Sequence, residues 1–558
     1  MMGRLKYGLL ASACLFFLEF SGGAHAAQKL ACDGLTGEAL GLKDVKILSA
    51  SSTPAVKDSP VAHCLVKGVT AERTGADGKP YAIRFEFRLP DDWNGRFVHQ
   101  FNGGNDGVVV PAMGLPVAAS TQKGALASGF AVLSSDAGHD GKANPEAGLA
   151  GSNMFGLDPE AREFYGYKAV EFLTPVAKAF IKAYYGAAPQ YSYGIGCSNG
   201  GRHGFVAAAR LGKEYDGILA GAPGFDLPKA AIQHALDIQQ LHAVNGDVRK
   251  ALTVDDQQIV AKRILAACDK LDGLEDGIVS DTAACQKAFK PQDMICQPGQ
   301  NSSCLPAEKV KALETMLAGP KNSKGEQLYS DWSWDPGIGG GNWRFWKIES
   351  PIAPWDHMPL IAVMGAGSLA QIFTTPPTKV GGDPASLEKF LLSFDFDKDA
   401  SKIFATDGAF GKSAMSFMTP PDADNPKLSD FEAAGHKMIV FHGVGDPVFS
   451  FNDTRHWYER LAANYGGDAS KFVELYPVPG MTHCEGGPAT DQFDLFEKLV
   501  GWVEKGQKPA DVIAALNPKN KDVPAAWPQL RTRKLCPYPQ VARYTGGNPE
   551  EAASFACQ

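Results

Sequence analysis

Three side chains, far apart in the chain, have the types and settings of a nucleophile, a base and an orienting acid. Ser198 lies in Gly196-Cys197-Ser198-Asn199-Gly200. Glycines two before and two after a serine permit a strained strand-to-helix turn that lifts the hydroxyl clear of the backbone, although the same pattern also serves as a plain helix-packing turn. Asp446 stands in His442-Gly443-Val444-Gly445-Asp446-Pro447, and His483 in Pro479-Gly480-Met481-Thr482-His483-Cys484. A serine deprotonated by a histidine that a carboxylate orients can attack an acyl carbonyl. The attack leaves a negative oxygen that needs N–H donors. Asn102-Gly103-Gly104-Asn105-Asp106-Gly107 is a glycine-rich turn able to aim them, or simply a turn. Cys197 precedes the serine and Cys484 follows the histidine. If serine and histidine sit within hydrogen-bond reach, the two thiols become neighbours, so a Cys197–Cys484 disulfide is predicted.

Elements of alternating type must hold these residues. Residues 28–90 begin with polar turns and continue as strands, of which 81–89 alternates in strand fashion. Residues 96–101 form a strand running into the glycine loop, and 129–135 a buried strand followed by His139, read as a loop histidine outside the chemistry. Val170, Leu173, Val176, Ala177 and Phe180 recur at helical spacing within 162–185. Then come the serine strand, a helix over 205–211, and a strand over 217–222. Strands at 437–441 and 472–478 flank a helix at 452–464. This rhythm predicts an α/β class with a parallel sheet. The order Ser198, Asp446, His483, each beyond a strand, is that of the α/β-hydrolase triad. Between them, residues 226–425 break the rhythm and read as an inserted lid, leaving 27–225 and 426–558 as the catalytic core. Five of the nine tryptophans fall in the insertion: Trp332, Trp334, Trp343, Trp346 and Trp355. They serve its own core, a pocket for a flat substrate, or both.

Within the insertion, Asp269, Asp272 and Asp276 follow one another at spacings of three and four with glycines between them. Such a turn can converge oxygens on calcium or remain a solvated acidic turn; it is not an EF-hand loop. Across all 558 residues, 44% hydrophobic and 21% charged content describe an ordinary globular protein, and a net charge of -8 gives no support for a nucleic-acid partner. Arg4 and Lys6, an apolar run over 7–20 and Ala24-His25-Ala26 read as a signal peptide over residues 1–26. No later run reaches the roughly 18 apolar residues of a membrane span, so the mature protein is expected to be exported, soluble and free of the membrane, in a periplasm or secreted. Ten cysteines remain after the leader, which in an oxidising compartment implies five disulfides among about 945 pairings.

The G-C-S-x-G-G stretch at 196–201, the H-G-x-x-D-P turn at 442–447 and the G-x-x-H-C ending at 480–484 resemble the tannase and feruloyl esterase family, over essentially the whole mature chain. The resemblance implies an α/β-hydrolase core with a lid and a serine esterase acting on aromatic acid esters, such as galloyl or feruloyl esters. It implies structural calcium on the Asp269, Asp272 and Asp276 side chains and the Leu274 and Ile278 carbonyls. It implies bridges Cys32–Cys64, Cys268–Cys285, Cys296–Cys304 and Cys536–Cys557 beside Cys197–Cys484. The oxyanion donors become the N–H groups of Gly104, chosen over Gly103, and Asn199. His442 and Phe449 match positions that touch the bound acid where the family hydrolyses mono(2-hydroxyethyl) terephthalate. That activity uses a lid arginine for the substrate's free carboxylate. Here residues 368–376 contain none, and Arg344 is the last arginine before Arg455. The expected substrate is therefore a small neutral phenolic ester, with the terephthalate monoester as alternative. An inactive calcium-dependent phenolic-binding protein is the alternative of another class, and retention of all three triad types speaks against it. Oligomeric state is left open.

Overall fold

One mixed sheet of nine strands carries every loop singled out above, in the spatial order β1-β2-β3-β5-β4-β6-β7-β8-β9. The strands are β1 (Val45–Thr53), β2 (His63–Thr74), β3 (Pro80–Pro90), β4 (Arg96–Gln100), β5 (Ala131–Ser135), β6 (Tyr191–Cys197), β7 (Gly217–Gly221), β8 (Lys437–Gly443) and β9 (Val473–Val478). The computed structural model describes residues 29–57, 60–115, 123–300 and 302–558, so the leader expected at 1–26 lies outside the described residues. β1, β2, β3 and β5 pair antiparallel, and from β5 through β4 to β9 every pairing is parallel. Composition follows position. In β3, Tyr81, Ile83, Phe85, Phe87 and Leu89 are buried while Arg84 and Arg88 on the opposite face are half-buried. β5 and β7 are buried at every position, as parallel strands covered on both faces must be.

The helix read over 162–185 is interrupted. It runs as Pro159–Glu163, a π turn Phe164–Lys168, and Ala169–Tyr185. The interruption has a partner: Arg202 donates to the Tyr165 carbonyl at 3.0 Å and to the Gly166 carbonyl at 2.7 Å. A π turn frees such carbonyls from the regular ladder. Beyond it the helix packs on the sheet, Phe180 stacking against Phe87 with ring centres 5.1 Å apart.

Between β7 and β8, among the described residues, the chain adds no strand to the sheet. It forms helices, chiefly Leu227–Asn245, Val254–Cys268, Ala307–Leu317 and Pro384–Leu392. Ile232, Ile238, Leu241, Leu313 and Leu391 form their apolar centre, and a buried Lys347–Asp237 ion pair lies within it. This segment is fastened to the catalytic side of the sheet by Asp335. Its carboxylate accepts from the N–H of Gly337 at 2.7 Å and from the N–H of Gly480, in the histidine loop, at 3.2 Å. After β9, two short two-stranded sheets pair Val512–Ala515 with Thr532–Leu535 and Ala542–Tyr544 with Phe555–Cys557. Five disulfides form: Cys32–Cys64, Cys268–Cys285, Cys296–Cys304 and Cys536–Cys557 are local, whereas Cys197–Cys484 spans 287 residues. Among the described residues no helix is long and apolar enough to cross a membrane.

Asp335→Ala leaves two buried N–H groups without an acceptor and is expected to cost about 2–3 kcal/mol in urea denaturation. Burial pushes the Asp335 carboxyl from 3.8 up to about 6, against the pull of the two N–H groups. The folded state then binds this proton more tightly than the unfolded chain. The Asp335 contribution should be largest near pH 4 and decline as pH rises through 6, narrowing the gap between parent and variant. An equal gap at pH 4.5 and pH 7 would contradict this.

Candidate active site

β6 ends at Cys197 and the helix Asn199–Arg210 begins two residues later, leaving Ser198 alone at the turn with φ 63° and ψ -127°. A left-handed φ is costly for a residue with a side chain and projects it from the turn. The flanking glycines are required by close approach. A Cβ on Gly196 would meet the Phe101 carbonyl oxygen at 2.7 Å, and one on Gly200 would meet it at 2.4 Å. The end of β4, which leads into the glycine loop, therefore lies directly against the serine turn.

β8 delivers Asp446 and β9 delivers His483 to the same place. His483 Nδ1 lies 2.8 Å from Asp446 Oδ2, and its Nε2 lies 2.9 Å from Ser198 Oγ. A carboxylate only accepts, so Nδ1 carries the proton and Nε2 is free to accept from the serine hydroxyl. The other Asp446 oxygen accepts from the N–H groups of Val448 at 2.7 Å and Phe449 at 3.1 Å. Burial opposes its charge, but the His483 charge and hydrogen bonds from His442 and His483 outweigh burial and hold Asp446 well below the usual carboxylate range. It stays ionised and can stabilise an imidazolium.

His442 is corrected here. The expectation made it a substrate contact, but it is fully buried. Its Nδ1 is 2.9 Å from Thr454 Oγ1, and its Nε2 faces the Phe449 carbonyl at 3.1 Å and Asp446 Oδ2 at 3.3 Å. It stands behind the acid, away from the cleft, because the inward face of the last β8 residues is packed against Phe451–Asn464. Phe449 is also buried, its ring perpendicular to that of His483 at 5.4 Å. Trp346 stands at 5.0 Å, also edge to face, so the imidazole is held between two aromatic rings.

The serine opens on a cleft of about 620 Å³, lined by Gly103, Gly104, Leu115, Phe345, Trp346 and Glu485 among others. Both candidate glycines border it. A Cβ on Gly103 would come within 3.8 Å of Ser198 Cβ, whereas Gly104, at φ 61°, faces open space. Asn199 is the first residue of its helix, where N–H groups have no partner within the helix. The glycine loop is pinned by Asn102, whose amide donates to the Ser135 carbonyl at 2.7 Å, and by His139, whose Nε2–H donates to the Asn105 carbonyl at 2.9 Å. Burial pushes His139 down to about 4, so it is neutral and supports the loop. Trp346 was legible only as one of five insertion tryptophans that could serve a core or a pocket, and Phe345 carried no signal of its own.

Among the described residues, neither insertion nor core brings an arginine to this cleft. Arg344 pairs with Glu349 at 2.6 Å and donates to the Leu252 carbonyl. Arg162, from outside the insertion, does reach residues 371–375, but it is buried and donates to the Gln371 and Thr374 carbonyls at 2.8 and 3.1 Å.

The aspartate loop presents oxygens only. Asp269 accepts from the N–H groups of Asp276 and Gly277, and Asp272 from those of Leu274 and Ser280. Asp272 is buried with no ion pair among the described residues, and burial pushes it up to about 6. Asp276 turns one oxygen to Arg533, and among the described residues no three acidic, histidine or cysteine side chains converge as they would on a metal. The oxygen-only donor type suits a hard cation, but the three carboxylates are spread over backbone N–H groups and Arg533 rather than gathered on one point.

Residues 64–558 match the sequence profile of the family described as tannase and feruloyl esterase. The chain belongs to this family. With it, the protein is a carboxylic ester hydrolase. Among curated relatives, the mono(2-hydroxyethyl) terephthalate hydrolase of Piscinibacter sakaiensis is 40% identical over 520 residues, 89% of this chain and 84% of the relative. A probable feruloyl esterase of Arthroderma benhamiae is 28% identical across 92% of this chain and 89% of its own length. Feruloyl esterase B from Aspergillus oryzae shares the fold with a TM-score of 0.69 at 22% identity, covering 92% of this chain and 97% of that one. The tannin acyl hydrolase of Aspergillus niger does so with a TM-score of 0.63 at 20% identity, covering 93% and 92%.

Replacing Cys197 and Cys484 together by alanine opens the longest loop closed in the chain. The double variant is expected to lose up to about 5 kcal/mol of unfolding free energy and, through looser placement of His483, about tenfold in turnover of p-nitrophenyl acetate. Parent-like turnover in the folded variant would show that the bridge does not hold the site's geometry.

Proposed function

We propose that this protein is an exported serine esterase for neutral aromatic acid esters of the galloyl or hydroxycinnamoyl type. The observation that carries this reading is the Ser198–His483–Asp446 chain, with contacts of 2.9 and 2.8 Å, opening on an aromatic-walled cleft. His483 takes the serine proton, and Ser198 Oγ attacks the ester carbonyl. The N–H groups of Gly104 and Asn199 receive the oxyanion, and His483 then protonates the departing alcohol. Water, deprotonated by the same imidazole, releases the acid from the acyl-enzyme. Export is supported by five disulfides and the leader-like residues 1–26.

The charge of the cleft supports a neutral substrate. Among the described residues lining it there is no lysine or arginine, and Glu485 is the one carboxylate. A free carboxylate on the substrate would meet no bidentate partner there. The second reading, a terephthalate monoester hydrolase, is favoured by the 40% identity to the relative of that name. Purified protein should be compared on methyl gallate, methyl ferulate and mono(2-hydroxyethyl) terephthalate, with Ser198→Ala as control. The neutral esters are expected to give the higher kcat/KM, and Ser198→Ala to lose on the order of 10⁴ in kcat. Glu485→Gln should raise kcat/KM for the anionic ester about three- to tenfold at low salt and leave the neutral esters unchanged. Preference for the terephthalate monoester would establish the second reading. Activity retained in Ser198→Ala would remove both.

We also propose that calcium binds Asp269, Asp272, Asp276 and the carbonyls of Leu274 and Ile278, as a structural ion remote from the reacting atoms. Buried Asp272, which has no cationic partner among the described residues, supports this. Elemental analysis should find one calcium per chain. EDTA should lower Tm, and added calcium should restore it. Asp272→Asn should remove both the metal and the EDTA effect. A metal-free protein indifferent to EDTA would refute the site.

A further inference from the structure

We propose that Asp106 is a positioning residue for the oxyanion hole: its buried carboxylate ties the glycine loop that carries Gly104 to the helix that presents the N–H of Asn199. The inference rests on the assignment of those two donors above. Two N–H groups stabilise one oxyanion only if the distance between them is held. Here they come from different strands. Gly104 follows β4 and Asn199 follows β6, with nearly a hundred residues of chain between them.

Asp106 spans that gap. It sits in the glycine loop at φ 45°, a left-handed conformation that a side-chain-bearing residue adopts at a cost. Its side chain is 3% exposed and does not border the cleft. Oδ1 accepts from the Asn199 side-chain amide, and His203, one turn further along the same helix, brings Nε2 to 3.3 Å of Oδ2. Arg202 sets the orientation of both helix partners. Its Nε donates to Asn199 Oδ1 at 2.6 Å, which leaves the Asn199 amide nitrogen facing Asp106. Its Nη2 lies 3.3 Å from His203 Nδ1, so the same guanidinium packs against the imidazole that flanks Asp106. Arg202 in turn holds the Tyr165 carbonyl, and the Tyr165 hydroxyl donates to the Gly104 carbonyl at 3.4 Å. The contacts thus close a ring from the glycine loop through Asp106, Asn199, Arg202 and Tyr165 back to Gly104. Every side chain in it is buried, so a hydrogen bond broken there is not replaced by one to water.

The test is steady-state kinetics on p-nitrophenyl acetate and methyl ferulate for Asp106→Ala, Asp106→Asn and Asn199→Ala, beside Ser198→Ala. Asp106→Ala should lower kcat about ten- to a hundredfold with KM within about twofold, and weaken inhibition by benzeneboronic acid, which forms a tetrahedral adduct on serine, by a similar factor. Asp106→Asn keeps an oxygen toward Asn199 and should recover part of the loss. Asn199→Ala cuts the same link from the helix side, keeps the backbone N–H, and should show the same kcat-selective loss. It serves as the deciding variant if Asp106→Ala does not fold. Parent-like kcat in Asp106→Ala or Asn199→Ala, a loss confined to KM, or an Asp106→Asn no better than alanine would each overturn the proposal. Full activity in Ser198→Ala would instead overturn the esterase mechanism itself, so the two failures are distinct.

Discussion

The rest of this structure depends on a hydrogen bond of 2.9 Å between Ser198 and His483, residues 285 apart in sequence. The bond has meaning only if two independent turns, each leaving its own strand, are held to within a few tenths of an ångström. The parallel register supplies the first part, because β6, β7, β8 and β9 lie side by side and end on the same edge. The Cys197–Cys484 bridge supplies the second, joining the residue before the serine to the residue after the histidine. The Phe101 carbonyl supplies the third. It leaves no room for a side chain at Gly196 or Gly200, so the serine turn has one conformation open to it.

The long segment between β7 and β8 is part of the same constraint. It is tied to the histidine loop through Asp335 and Gly480, and it places Trp346 against the His483 ring. The base therefore takes its orientation from the core through Asp446 and its apolar surroundings from the insertion. A histidine flanked by Phe449 and Trp346 is shielded from water on two edges, which strengthens its polar contacts on the remaining ones. Substrate access and base placement are thus linked, because the helix Gly341–Lys347 forms the wall of the cleft and also contacts the imidazole.

Charge is distributed with equal economy around the serine. Asp446 is ionised and faces two histidines, and the second of them, His442, is spent on supporting it. On the other side of the serine turn, Asp106 faces His203 and Arg202 in a separate buried cluster. The cleft between these clusters is left nearly without charge. On the proposed mechanism, an ester carbonyl entering it meets donors already oriented by the protein, and little solvent reorganisation is needed as charge develops.

What the sequence by itself determined is local. Turn chemistry marks Ser198, Asp446 and His483, because a glycine-flanked serine and polar residues just beyond apolar strands need only their neighbours to be recognised. The paired cysteines marked which two loops must meet. Strand and helix periodicity recovered most elements of the core, including β3 to β9, and only loosely the antiparallel β1 and β2. What tertiary structure alone decided is which way side chains face and what they meet. His442 looks like a cleft residue in sequence and is buried behind the acid, since a strand end does not reveal which face is packed. Arg202 takes the carbonyls of a helix interruption some forty residues upstream, and Arg162 turns one guanidinium nitrogen to carbonyls more than two hundred residues away. Asp106, Phe345 and Trp346 acquire their roles only when separate elements are packed together. Local patterns record the conformational preferences of the backbone, whereas contacts between distant residues depend on sheet order and packing, which no local pattern contains.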